Sequence, residues 1–350
     1  MKIQSTTVVW FSAIPLWLLI DFAQKNPKIV EEYYSGLLYP IFFDLHQTFL
    51  QWIPFSIGDL LYLALALFFF LKAIKKIPYW KVKPIQIIRD FGALMILLLW
   101  LFHLSWGFNY HRLPLNEQLK TSIKYSEQDL EYRLDQIIEK SNHWHQQLAP
   151  ADSQAVTFPF SSKQINDIVV LHHPLGQESI TPFSNVKKSI WSLPLSYMGY
   201  AGYLNPFTLE SQVNAKMPVL SLITTSLHEM AHQLGYASEK EANFIAYLSA
   251  IHSDNPYVQF AGNTFAFRYL FSELYRLDAD KANEKIKKLR PGILKNLREI
   301  NNFWKQYDNP FEVVFDKTYD RYLKANGQKS GLQSYNEMVG LVINHHKKHH

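Results

Sequence analysis

Along the first third of the chain, apolar residues gather in three long runs with few polar interruptions. Beyond residue 111 they fall instead at three- and four-residue spacings. Residues 7–23, 57–74 and 87–108 form these runs. The second, LLYLALALFFFL, and the third, FGALMILLLWLFHLSW, are long enough to cross a hydrocarbon core of about 30 Å at about 1.5 Å per residue. They are too uniformly apolar for core helices of a soluble domain, which keep a polar face. The first run is shorter and is not followed by a small-x-small cleavage site, so it reads as a further span rather than a cleaved leader. In the remainder, Leu130, Leu134, Ile137 and Ile138 predict an amphipathic helix over 126–148. Val219, Leu220, Ile223, Leu227, Ala231 and Leu234 predict a buried one, with Pro218 suited to its first turn and Gly235 to its C-cap. Phe244, Ile245, Tyr247, Leu248 and Ile251 predict the next helix, which Asp254-Asn255-Pro256 stops. Residues 265–277 and 281–304 predict two more, the second with a lysine-rich solvated face. The stretch 177–214 is rich in Pro, Gly, Tyr and Ser. There the pattern predicts short strands, one at 186–193, and a turn-rich GYAGYLNPF.

These elements give an α+β, mostly helical class and two parts: a membrane region over 1–111 with about three transmembrane helices, and a separate domain over 112–345. Basic residues orient the spans. Lys72, Lys75, Lys76, Lys81, Lys83 and Arg89 lie between the second and third runs with no acid before Asp90, so that loop is expected in the cytoplasm. The first loop mixes Lys25 and Lys28 with Glu31, Glu32 and Asp44 and is expected outside; Lys2 places the N-terminus inside. The domain after residue 111 is then expected outside the cytoplasmic membrane, in the periplasm of a Gram-negative cell. The chain has no cysteine, which excludes thiol catalysis and cysteine-based metal sites. A net charge of +5 is modest, and no phosphate-cradling or RNA-binding motif is present, so no nucleic-acid partner is expected.

The chemistry concentrates in one stretch, His228-Glu229-Met230-Ala231-His232. On a helix, His228 and His232 lie one turn apart on one face and can reach a single metal ion. Glu229 points about 100° around the helix from its neighbour, where a base is needed to take a proton from an attacking water. A helix buried on nearly every side seldom carries two His and a Glu unligated, because burying them unpaired costs several kcal/mol. Zinc in hydrolases takes three protein ligands and leaves a position for water. Glu239 and Glu241 compete for the third place. Glu241 has a structural task as the capping-box partner of Ser238. Glu239 has none, and Asn243 one turn on is placed to hydrogen-bond a ligating histidine. His228, His232 and Glu239 are therefore expected as ligands and Glu229 as the catalytic base.

HExxH followed by Glu239-Lys240-Glu241-Ala242-Asn243 resembles the gluzincin metalloproteases, in which the Glu of an E-x-x-A-[DN] motif is the third zinc ligand. EKEANFIAYL resembles the corresponding stretch of the ImmA/IrrE-type metallopeptidases. The spacer between the two motifs is much shorter here than in most gluzincins. Over nearly its whole length the chain is similar to the DUF3810 family of bacterial membrane proteins. The stretches PLSYMGYAGYLNPFTLESQVN, HEMAHQLGYASEKEANFIAYL and YDRYLKANGQKSGLQSY carry that likeness. The gluzincin resemblance implies a zincin-like metallopeptidase domain behind the transmembrane helices, with Zn2+ as cofactor and a peptide or protein as substrate; the DUF3810 likeness supports that fold and names no substrate. A non-catalytic zinc-binding structural or regulatory membrane module is the alternative, with Glu241 as a possible fourth ligand. Amide hydrolysis in peptidoglycan would use the same chemistry.

Tyr197, Tyr200 and Tyr203 are candidates to stabilise an oxyanion, and an edge strand from their region would pair with substrate. His143 and His145 read as surface residues, and the tail from His345 to His350 as a disordered basic end. Arg268, Tyr275 and Arg276 are possible supports of the site.

Overall fold

The structure, a computed structural model, describes residues 5–76, 84–162, 164–172, 175, 186–326, 328 and 335–349. Lys2, Lys81 and Lys83 of the charge argument, residues 177–185 of the turn-rich stretch, and Gly327 and residues 329–334 of the last motif lie outside these. The chain divides into two units, Met1–Leu113 with Asn205–Glu210, and Pro114–Leu204 with Ser211–His350.

The first unit is built of helices α1 (Ser5–Phe11), α2 (Ala13–Lys25), α3 (Pro27–Ile29), a π-helical segment Val30–Leu38, α4 (Tyr39–Leu50), α5 (Ile57–Lys76) and α6 (Pro84–Ser105). Three helical stretches, Thr6–Lys25, Ile57–Lys75 and Pro84–Ser105, are long and apolar enough to cross a membrane. Most of their apolar side chains point outward, as a lipid solvent allows. Polar contacts join the first and third: the Trp10 indole donates to the Arg89 carbonyl and the Trp100 indole to the Ser12 carbonyl. Gly92 lets the Trp10 ring lie against α6, where a Cβ would come within 2.3 Å of it. Arg112 forks onto both oxygens of Glu31 at 2.9 and 2.6 Å. Loop 205–210 belongs to this unit, and its Glu210 carboxylate accepts the Ile57 and Gly58 N–H groups at the start of α5.

The second unit is helical around one small sheet. Its elements are α7 (Leu115–Gln118), α8 (Glu127–Leu148), α9 (Ile165–Ile168), β1 (Lys187–Lys188), α10 (Ser192–Tyr197), β2 (Gly202–Leu204), β3 (Ser211–Val213), α11 (Val219–Gln233), α12 (Glu239–Ile251), α13 (Pro256–Leu277), α14 (Ala279–Ile286), α15 (Pro291–Lys305), α16 (Glu312–Ala325) and α17 (Tyr335–His349). The sheet runs β1-β3-β2, with β1 parallel and β2 antiparallel to β3, so β2 is an edge. The core is the meeting of α8, α11, α12, α13 and α17, where Leu134, Leu227, Phe244, Leu270 and Val342 are fully buried. Ser126 and Asp129 close a capping box at the start of α8.

Several expectations are revised. The 186–193 strand is only β1, because Pro194 lies in the first turn of α10 and helix takes over from Ser192. The 281–304 helix is two helices, since Pro291 begins α15 and has no N–H to continue α14. His145 is not a surface residue: it is fully buried and its Nε2 donates to the Gln154 carbonyl at 2.8 Å. His143 does lie on the outer side, beside Gln147. The tail is helical through His349, with His345 against Phe244 and His346 Nε2 at 3.0 Å from the Tyr247 hydroxyl.

Candidate metal centre

The site grows from the end of α11. That helix ends where Gly235 takes φ of 79°, a conformation free of strain only without a Cβ. The Gly235 N–H then reaches the His232 carbonyl and the Tyr236 N–H reaches back to Ala231, a Schellman turn. The reversal brings the Tyr236 carbonyl onto His232 Nδ1 at 2.7 Å. A carbonyl only accepts, so Nδ1 carries the proton and Nε2 offers its lone pair in the neutral ring. One turn earlier, His228 Nδ1 lies 2.8 Å from Asn243 Oδ1, which holds that ring the same way. The two rings stand nearly perpendicular, 4.6 Å apart.

Glu239 opens α12 and faces both rings. Its Oε2 is 3.3 Å from His228 Nε2 and its Oε1 3.7 Å from His232 Nε2. Ligands about 2.0–2.2 Å from a tetrahedral zinc lie about 3.4 Å from one another, so these separations leave a place for the ion. The three donor atoms all lie within 4.8 Å of one another, and no other such group occurs among the described residues. Side-chain exposures of 14% for His228 and 21% for Glu239 keep one side of the cluster open. The donor set, the spacing and the two tied Nδ1 atoms all suit zinc.

Glu241 is not part of the cluster. Its Oε1 accepts the Leu115 N–H at 2.8 Å, and Ser238 makes no side-chain cap bond, so the expected capping box does not form. Glu229 lies beside the cluster, 4% exposed, with Oε2 buried and without a hydrogen-bond partner. Ser211 of β3 donates to its backbone carbonyl at 2.7 Å. Gly202 of β2 faces its carboxylate so closely that a Cβ there would sit 2.7 Å from Oε1. The strand at the sheet edge thus runs past the buried acid.

Charge and burial shape the protonation of the metal-free cluster. Burial raises Glu229 to about 8, His228 opposing and Glu239 adding to the effect. Burial alone would lower His228, but its bond to Glu239 and the two carboxylate charges raise it to about 9. His232 falls to about 4, from burial and then from the charge on His228. Burial works to raise Glu239, yet His228, His232 and Tyr319 hold it well below the usual carboxylate range.

Among the tyrosines singled out, Tyr200 packs on Tyr319 at 5.6 Å, Tyr203 sits in β2, and Tyr197 packs on Tyr307. The residue missed is Tyr319. Its hydroxyl donates to Glu239 Oε1 at 2.6 Å from a helix far along the chain. Arg276 is engaged with Glu273, which also accepts from Tyr125. A concavity of about 540 Å³ at the opposite end of α11, lined by Lys216, Pro218, Lys295 and Arg298 among others, contains none of the cluster residues.

No curated protein and no solved structure matches the chain. A family model described as "Protein of unknown function (DUF3810)" matches residues 34–343, which takes in the second and third apolar helices and the whole cluster. The chain belongs to the DUF3810 family.

Proposed function

We propose that this chain is a membrane-anchored zinc metallopeptidase, with His228, His232 and Glu239 as ligands and Glu229 as general base. The observation that carries the reading is the buried carboxylate of Glu229, left without a partner on Oε2 beside three converging donors. A purely structural metal site needs no such base and closes all four positions with protein ligands. Glu241, the candidate fourth ligand, is instead engaged by the Leu115 amide. Both features favour the catalytic reading over a non-catalytic module.

Zinc held there would supply Lewis acidity, polarising a scissile carbonyl and making a water acidic near neutral pH. The chain's own residues supply the rest. Glu229 takes the proton from the attacking water and passes it to the leaving amine. Its burial raises its proton affinity, which suits a group that must both accept and return a proton. Tyr236 and Asn243 keep the two imidazoles in one tautomer and orientation. The substrate is an extended peptide. Tyr203 pairs with Gln212 inside the sheet, so the backbone groups of Gly202 and Leu204 point away from β3 and are available to a further strand. The three apolar helices hold the enzyme in the bacterial cytoplasmic membrane. The excess of lysines after the second span puts the second unit on the periplasmic side.

The test is metal content and peptide hydrolysis by the full chain in detergent micelles. Glu229→Gln is expected to keep one zinc per chain and to lose hydrolysis by about 100-fold or more. Activity retained in that variant would overturn the mechanism. A wild-type chain that takes up no zinc after reconstitution would remove the enzyme reading altogether.

A further inference from the structure

The Glu239 carboxylate has two oxygens with different company. Oε2 faces His228 Nε2, while Oε1 accepts the Tyr319 hydroxyl at 2.6 Å. Tyr319 belongs to α16, which is not one of the helices that supply the cluster. The parts of α16 that are tied down lie on the same side as this bond. The Tyr319 ring packs on Tyr200 at 5.6 Å, Leu323 is fully buried, and just past the helix the Gln328 amide donates to the Ala237 carbonyl at 2.9 Å. Ala237 lies in the short turn between the two ligand-bearing helices. At its start the helix turns apolar side chains to solvent: Phe311, Val313 and Val314 are 68%, 56% and 58% exposed.

We propose that Tyr319 is a positioning residue for the metal-binding carboxylate, so that docking of α16 and binding of the metal favour one another. The proposal rests on the reading of Glu239 as a ligand. A hydrogen bond from a neutral phenol to one carboxylate oxygen fixes the rotation of the group, which sets Oε2 against His228 and Oε1 3.7 Å from His232 Nε2. Partners of this kind are worth about 10–100-fold in metal affinity. Because coupling free energy is reciprocal, whatever the docked helix adds to metal affinity the metal must add to docking.

The test uses the full chain in detergent micelles, with zinc as the probe. Zinc affinity is measured by competition with a chromophoric chelator for wild type, Tyr319→Phe and Tyr322→Phe. Tyr322 stacks on Tyr319 in the same helix and is 39% exposed, which makes it the control. Tyr319→Phe keeps the ring against Tyr200 and loses only the donor. It is expected to weaken zinc binding about 10–100-fold, while Tyr322→Phe binds as wild type. The second measurement needs no variant: zinc should slow amide hydrogen exchange in α16 of the wild-type chain. A Tyr319→Phe affinity within twofold of wild type, or exchange in α16 indifferent to zinc, overturns the proposal and leaves the metal site standing. Failure of the wild type to bind zinc overturns the metal reading itself, a distinguishable outcome.

Discussion

Gly202→Ala places one methyl group between the sheet edge and the candidate base. The glycine is not required by its backbone angles, since the positive-φ glycines among the described residues are Gly199 and Gly235. It is required by space. The added Cβ would lie 2.7 Å from the Gln212 carbonyl oxygen, 2.7 Å from Glu229 Oε1 and 3.0 Å from Glu229 Cδ. Carbon–oxygen contacts settle at about 3.3–3.6 Å, so about 0.6–0.9 Å must be found on each side. The Gln212 oxygen is backbone in the paired strand and gives little, which leaves the Glu229 carboxylate to move. Overpacking of this kind costs about 1–3 kcal/mol of stability. A catalytic group displaced by about 1 Å loses about 100-fold in rate. The three atoms nearest the new methyl belong to Gln212 and Glu229 rather than to the ligands, so one zinc per chain should remain. The assay is zinc stoichiometry by elemental analysis, the melting temperature, and hydrolysis of a mixed peptide library, each against wild type. A variant with wild-type hydrolysis and wild-type melting would refute the placement of β2 against Glu229, and with it the edge strand as the substrate's dock.

The competing carboxylates separate by substitution. Glu239→Ala should abolish zinc binding, whereas Glu241→Ala should keep it and lose about 1–3 kcal/mol of stability, because the buried Leu115 amide is left unpaired. Elemental analysis with denaturant unfolding reads both, and zinc lost only with Glu241→Ala would reverse the assignment. Gly235→Ala forces a Cβ into the left-handed region at a cost of about 1–2 kcal/mol, seen as a lower denaturation midpoint. It also shifts the Tyr236 carbonyl from His232, so zinc affinity measured by chelator competition should fall with it. Burial lowers the pKa of His145 below the ordinary histidine value, with the Gln154 carbonyl partly opposing. The unfolded chain therefore takes up a proton that the folded chain refuses, and stability present at pH 7.5 is lost as pH falls through about 6.5. The denaturation midpoint of His145→Gln should change less between pH 7.5 and 5.5 than that of wild type; an equal change would show that His145 does not contribute.

What the sequence yields and what it withholds divide along a physical line. Periodicity delivers α8, which buries one face, and α11 and α12, whose apolar residues recur at helical spacing though burial runs nearly all round them, and Gly235 declares the end of α11 because few other residues tolerate its backbone angles. The approach of Asn243 to His228 is legible for the same reason: the two residues lie on elements whose faces were already assigned. The Tyr236 carbonyl that fixes His232 has no side-chain signal, since any residue in that turn carries one. Glu241 misleads because local spacing offers it a capping box, while a long-range amide at Leu115 outcompetes the local partner. Tyr319 lies 80 residues from Glu239, and nothing in its own neighbourhood marks it, because its partner is met only once α16 has docked.

The short spacer between the two motifs follows from the same turn. The Schellman geometry reverses the chain within Gly235 and Tyr236, and α12 begins at Glu239 directly after the Ser238 cap position. A carboxylate at the first position of that helix is carried back over the last turn of α11, opposite His228 and His232. Two residues further on, the side chain has rotated by about 200° around α12 and meets the Leu115 amide instead. The helical repeat itself therefore separates Glu239 from Glu241. Lengthening the spacer by one residue would rotate the entry of α12 by about 100° and take Glu239 away from the histidines.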